Sequence, residues 1–269
     1  GLLILIISIF AFVLIGGIRG FSPLSILAAL LALGCGFVGF LDDFIKTLKA
    51  RSLGLKARTK FIAQFIVSLC FTWMAIRYAA LPTSVTLPAT SISIELSVFY
   101  YLLVFLIVSA TTNSVNLTDG LDGLAAGTVM VILMAYAAIS FRQNHLDLAI
   151  FCASIGGACL GFLWHNVSPA EIFMGDTGSL GLGGAIAALA VLTKTEFLLV
   201  LIGGIYVIEC LSVILQVISF RYFGTRLFKM APIHHHFEML GWSETKIMIR
   251  FWIITAVLAG AGFALYFVS

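Results

Sequence analysis

Charge is what this sequence has least of. Only 10% of its 269 residues are Asp, Glu, Lys or Arg, against 61% hydrophobic, and the mean hydropathy is +1.14. A water-soluble domain of this length cannot cover its surface with so little charge. Paired cysteines are also missing. Cys35, Cys70, Cys152, Cys159 and Cys210 each lie inside an apolar run with no CxxC, so they read as small buried hydrophobes rather than a disulfide frame or metal site. No Walker A loop and no His-Glu-x-x-His occurs, which removes the P-loop nucleotidases and the zincin hydrolases. Strict alternation of apolar and polar residues is absent as well, which argues against a β-barrel. The first apolar run, starting at Gly1, has no signal-peptide cleavage pattern behind it and reads as a true span.

What fills the chain is long runs of Leu, Ile, Ala and Phe with 25 glycines, the composition of closely packed membrane helices. The expected fold is all-α, a polytopic transmembrane bundle forming one domain over 1–269. Nine spans are expected, at 1–18, 22–41, 60–79, 97–113, 121–141, 147–164, 178–193, 197–220 and 247–268. The fourth and seventh are short enough to be broken or tilted. Thr193-Lys194-Thr195-Glu196 suits a tight hairpin between the last pair before the C-terminal span.

Nine spans put the loops 42–59, 114–120, 165–177 and 221–246 on one side. That side carries Lys46, Lys49, Arg51, Lys56, Arg58, Lys60, Arg221, Arg226, Lys229 and Lys246. The other carries Arg19, Arg77, Arg142 and Lys194. The excess of cations makes the first side cytoplasmic. Asp42, Asp43, Asp119, Asp122, Asp176 and the His234-His235-His236 run gather there too, with Asp147 alone among the aspartates opposite. A scaffold has no need of five carboxylates at the mouths of several helices.

Four polar elements could carry chemistry. Leu41-Asp42-Asp43 ends a span and enters a basic loop. Adjacent carboxylates resist joint ionisation unless a cation lies between them, and at a helix C-terminus they oppose the dipole. Asn113 to Gly123 is dense in Asn, Asp and Gly. It could hold a nucleoside or a hard metal, or be a loop; the ligand series of a calcium hand is lacking. Phe173-Met174-Gly175-Asp176-Thr177-Gly178-Ser179 opens a glycine-rich helix, where Asp176 is either an N-cap or a Mg²⁺ ligand with phosphate nearby. In Pro232-Ile233-His234-His235-His236-Phe237-Glu238 adjacent histidines cannot share one metal on a regular helix; phosphate contact or proton donation fits better. His145 reads as solvated, Arg77 can snorkel, His165 is ambiguous, and Glu209, inside a span, must face protein, water or a partner.

These four motifs, in this order along nearly the whole chain, resemble the polyprenyl-phosphate N-acetylhexosamine-1-phosphate transferases. The histidine motif is similar to that of their phospho-N-acetylmuramoyl-pentapeptide transferase branch. The resemblance implies transfer of the phosphosugar from UDP-N-acetylmuramoyl-pentapeptide to undecaprenyl phosphate, giving lipid I and UMP with Mg²⁺, for cell-wall synthesis at the bacterial inner membrane. It implies Asp42 as base beside Asp43, Asp176 as Mg²⁺ ligand, and His235 with the catalytic group. It also implies a uridine pocket from Asp119, Gly120, Leu121, Asp122 and Phe173, with Asn113, Asn116 and Asn166 in support. Lys46, Lys60, His234 and His236 would meet phosphates or substrate. Family members can be homodimers, though no interface is legible on the lipid-facing sides, and no nucleic-acid partner is expected. A further N-terminal span and cytoplasmic loop are expected ahead of Gly1.

Two other readings compete. A sister transferase would use a different UDP-sugar, such as UDP-N-acetylglucosamine. A secondary transporter would suit Glu209 and the glycine breaks, but it should place its ionisable groups near the midplane and not at one face. The span count makes a prediction of its own. A cysteine introduced as Ser243→Cys should be labelled by impermeant reagents only after the cytoplasmic side is opened, and labelling of intact cells contradicts the topology.

Overall fold

The computed structural model describes residues 1–18, 20–49, 54–90 and 92–268. Arg19 and Arg51, both used in weighing the loops, fall outside them. The expected helical bundle is what forms. Its helices are α1 (Leu2–Gly16), α2 (Pro23–Leu48), α3 (Ala57–Tyr78), α4 (Phe99–Thr118), α5 (Leu124–Arg142), α6 (Leu146–Asn166) and α7 (Gly175–Leu192), then α8 (Leu198–Ile202), α9 (Gly204–Phe223), α10 (Ile233–Glu238) and α11 (Glu244–Val268). Eight of them are long and apolar enough to cross a membrane among the described residues, and α1 is a shorter apolar helix. A two-stranded antiparallel hairpin, β1 (Ser84–Thr86) with β2 (Ser93–Glu95), is the one departure from all-α structure among the described residues.

Helix α7 is the axis of the bundle. Of its apolar window 89% is buried, against 22% for α11 and 33% for α9, which turn Leu, Ile, Val and Phe outwards. In lipid there is no hydrophobic gain from pairing helices, so close packing of small residues must supply the attraction. The run Gly181-Leu182-Gly183-Gly184-Ala185 on α7 provides it, and α2 and α7 form the most extensive helix pair. At their closest point a Cβ on Gly39 would stand 2.1 Å from the carbonyl oxygen of Asp176. No side chain fits there, and this contact draws Asp42 and Asp43 to the start of α7.

Three expectations need correction. The short spans, the fourth and seventh, are continuous helices of 20 and 18 residues. The break falls instead in the eighth, where α8 stops at Ile202 and α9 starts at Gly204, two glycines meeting at the joint. The pair Asp42 and Asp43 does not end a helix, because α2 runs on to Leu48 and carries both within its last two turns. Cysteines 35, 152 and 159 are buried, but Cys70 is exposed on the outer side of α3.

The loops sort to two ends. At one, Asp147 Oδ2 accepts from the Ser22 backbone N–H at 2.9 Å, and Lys194 Nζ meets Glu196 Oε1 at 2.7 Å and the Tyr100 hydroxyl at 2.8 Å. At the other lie Asp42, Asp43, Asp119, Asp122, Asp176 and α10. The α2–α7 contact predicts that Gly39→Val costs about 3 kcal/mol by overpacking, read as a lower thermal midpoint in detergent. Gly157→Ala, whose Cβ would meet nothing within 4 Å, leaves the midpoint unchanged or higher.

Candidate active site

The first turn of α7 exposes backbone N–H groups that Met174, its own N-cap, does not satisfy with a side chain. Asp43 of α2 supplies the missing cap. Its Oδ2 accepts from Thr177 N at 2.8 Å and Thr177 Oγ1 at 2.7 Å, and its Oδ1 from Asp176 N at 3.3 Å. A carboxylate at a helix N-terminus is favoured by the dipole, so Asp43 is well placed. Asp176 is thereby released from capping.

The Asp176 side chain faces cations. Its Oδ2 lies 3.0 Å from Lys46 Nζ and 2.8 Å from Lys60 Nζ, and its Oδ1 accepts from Asn116 Nδ2 at 2.8 Å. Lys46 also reaches Asp42 at 2.6 Å, one helical turn away, and Asp43 at 3.6 Å. Buried Asp42 is held at its other oxygen by the Leu55 N–H at 2.7 Å. One oxygen from each of Asp42, Asp43 and Asp176 lies within 4.8 Å of the others. This oxygen-only set suits a hard divalent cation in the space that Lys46 now bridges.

A second layer joins the 119–122 turn to its neighbours. Asn166 Oδ1 accepts from Gly123 N at 3.0 Å while its Nδ2 donates to the Ile172 carbonyl at 2.8 Å. Asp122 Oδ2 accepts from Ala170 N at 2.9 Å. Leu121 is buried, and Phe173, which follows the Ile172 carbonyl held by Asn166, is 75% exposed. The three histidines take different Nδ1 partners, although the His234 and His235 rings lie side by side with centroids 4.2 Å apart. His234 is buried against Glu209, His235 Nδ1 meets Glu238 at 2.7 Å, and His236 Nδ1 accepts from Lys229 N at 3.0 Å. Asn113 does not join the cluster. Its amide donates to Gln64 Oε1 at 3.2 Å and the Ser109 carbonyl at 2.7 Å, locking α3 to α4.

Comparison with known proteins identifies the family of the chain. The family model described as glycosyl transferase family 4 matches residues 24–194. A Halalkalibacterium halodurans protein named phospho-N-acetylmuramoyl-pentapeptide-transferase is 50% identical over 239 residues, covering 89% of this chain and 73% of the relative. A Bacillus pumilus protein of the same name is 46% identical over 261 residues, covering 97% and 80%. One from Bacillus subtilis is 48% identical over 241 residues, covering 90% and 74%. The chain belongs to the phospho-N-acetylmuramoyl-pentapeptide-transferase family. Within this transferase bundle, sequence reasoning missed the capping role of Asp43 and the parts of Thr177 and Ser179. Ser179 Oγ accepts from Asn116 Nδ2 at 2.8 Å. Both residues stood in the Asp-Thr-Gly-Ser run, but their partners are distant in sequence.

Asp119 caps the end of α4, and burial pushes its carboxyl up to about 7, with the Asp176 and Asp43 carboxylates adding to the shift. The folded state therefore holds this proton more tightly than the unfolded chain. The stability this lends is full below the unfolded pKa and is lost as pH rises through the folded one. Asp119→Asn should thus raise the thermal midpoint of the ligand-free protein, by more at about pH 8 than at about pH 5. A gain independent of pH contradicts the assignment.

Proposed function

We propose that this chain transfers phospho-N-acetylmuramoyl-pentapeptide from its UDP-activated form to undecaprenyl phosphate, releasing UMP and forming lipid I. The reaction takes place at the cytoplasmic face of a bacterial inner membrane. One observation carries the reading: three carboxylates and two lysine ammoniums meet at one end of the bundle.

The chemistry asks for that arrangement. A phosphate oxygen of the lipid carrier attacks the phosphorus bearing the sugar, and the bond to the UMP oxygen breaks. Little covalent help is needed; positioning and charge neutralisation supply most of the catalysis. Lys46 and Lys60 put fixed positive charge where the pyrophosphate must lie. Asp42, beside Lys46, is placed to take a proton from the attacking phosphate. Asp176, with Asp42 and Asp43, would hold Mg²⁺, which when bound neutralises charge on the diphosphate. The 119–122 turn and the exposed ring of Phe173 would receive the uridine, stapled from behind by Asn166. Asn116 orients Asp176 rather than substrate.

The test is UMP release by the protein in detergent, with UDP-N-acetylmuramoyl-pentapeptide, undecaprenyl phosphate and Mg²⁺. Release should require all three, and Asp176→Asn should lower turnover by about a hundredfold or more while the helical content stays unchanged. Release from UDP-N-acetylglucosamine instead moves the chain to a sister reaction, and wild-type turnover by Asp176→Asn removes the metal assignment.

A further inference from the structure

Glu209 lies among apolar residues of α9 and is wholly shielded from solvent. A carboxyl in such a place needs a partner. Its Oε1 stands 3.0 Å from Nδ1 of His234, which is equally buried. With Glu209 as the acceptor, the proton lies on Nδ1, and the bond sets the ring's orientation. The opposite ring nitrogen is then committed. His234 Nε2 is buried and has no hydrogen-bond partner among the described residues. It is aimed at Gly120: a Cβ there would stand 2.5 Å from His234 Nε2 and 3.3 Å from His235 Nε2. Buried nitrogens are rarely left unpaired, and one turned onto a polar turn calls for an explanation.

We infer that Glu209 is a positioning residue. By holding His234 through Nδ1, it keeps Nε2 against the 119–122 turn in the orientation that lets this turn receive the nucleotide of the donor. The inference rests on the proposed function, in which that turn forms the uridine pocket. Gly120 is needed for the same reason, since any side chain would drive the imidazole off the turn. The competing explanation is a brace that merely ties α10 to α9. The two differ in what Nε2 contributes.

Three variants of the whole chain separate them, by steady-state kinetics in detergent and by calorimetry with UMP. In Glu209→Gln the amide carbonyl still accepts from Nδ1, so donor KM should stay within about threefold of wild type. Glu209→Leu removes the acceptor. Donor KM should rise about tenfold and UMP affinity fall by the same factor, while KM for undecaprenyl phosphate hardly moves. His234→Asn offers an amide N–H near the Nδ1 position and nothing at Nε2, so it keeps the brace and loses the contact with the turn. It should match Glu209→Leu in donor KM and UMP affinity while keeping a wild-type thermal midpoint, and this comparison holds even if the leucine variant does not fold. Wild-type donor KM and UMP affinity in His234→Asn overturn the inference, as does an equal rise of both KM values in Glu209→Leu. If the wild-type chain itself releases no UMP, the proposed function fails and takes the inference with it.

Discussion

Carboxylates at the end of a lipid-embedded bundle are tolerable only where cations meet them. Asp42, Asp43 and Asp176 come from two helices and would repel one another across the short gap that separates them. Lys46 from α2 and Lys60 from α3 enter that gap, and Asn116 from α4 closes it. Four helices are thus tied at one point by charge. The same balance explains reactivity: a site that holds lysines between carboxylates can trade one of those contacts for a phosphate or a divalent ion without leaving a buried charge bare.

The balance depends on geometry that lies deeper in the membrane. Gly39 allows α2 to touch the backbone of α7, and only at that separation does Asp43 reach Thr177 N and Oγ1. Once Asp43 caps α7, Asp176 is free to face the lysines. Small residues that pack the bundle and charged residues at its end are therefore parts of one device. The stapling of the 119–122 turn by Asn166 extends the device to the neighbouring helices α5 and α6.

Much of this was legible in the sequence. Apolar runs and their separators located the eight helices long enough to cross a membrane and the shorter α1 ahead of them, because lipid leaves the chain no alternative to helices. Helix ends were less legible. The hydrophobic run of α2 stops near Leu41, yet the helix continues for two turns to Leu48, since Asp and Lys extend a helix once it is formed. The break at Gly203 was hidden for the converse reason: apolar residues flank it on both sides. At the site, Asp42 and Asp176 stood out by motif, and Lys46 and Lys60 through the family resemblance that the motifs carry. Asn113 and Asn116 are one turn apart with the same side chain, and only the tertiary packing sends one to Gln64 and the other to Asp176. Glu209 declared its need for a partner, but the partner lies on α10, beyond any local pattern.

The central claim is that the three-carboxylate cluster is a cation site and not only a salt-bridged scaffold. Paramagnetic resonance of Mn²⁺ with the purified protein tests it without any substrate. A saturable bound-Mn²⁺ signal that Mg²⁺ displaces, and that weakens in both Asp42→Asn and Asp176→Asn, is the predicted result. Absence of such a signal, or its persistence in both variants, would contradict the account.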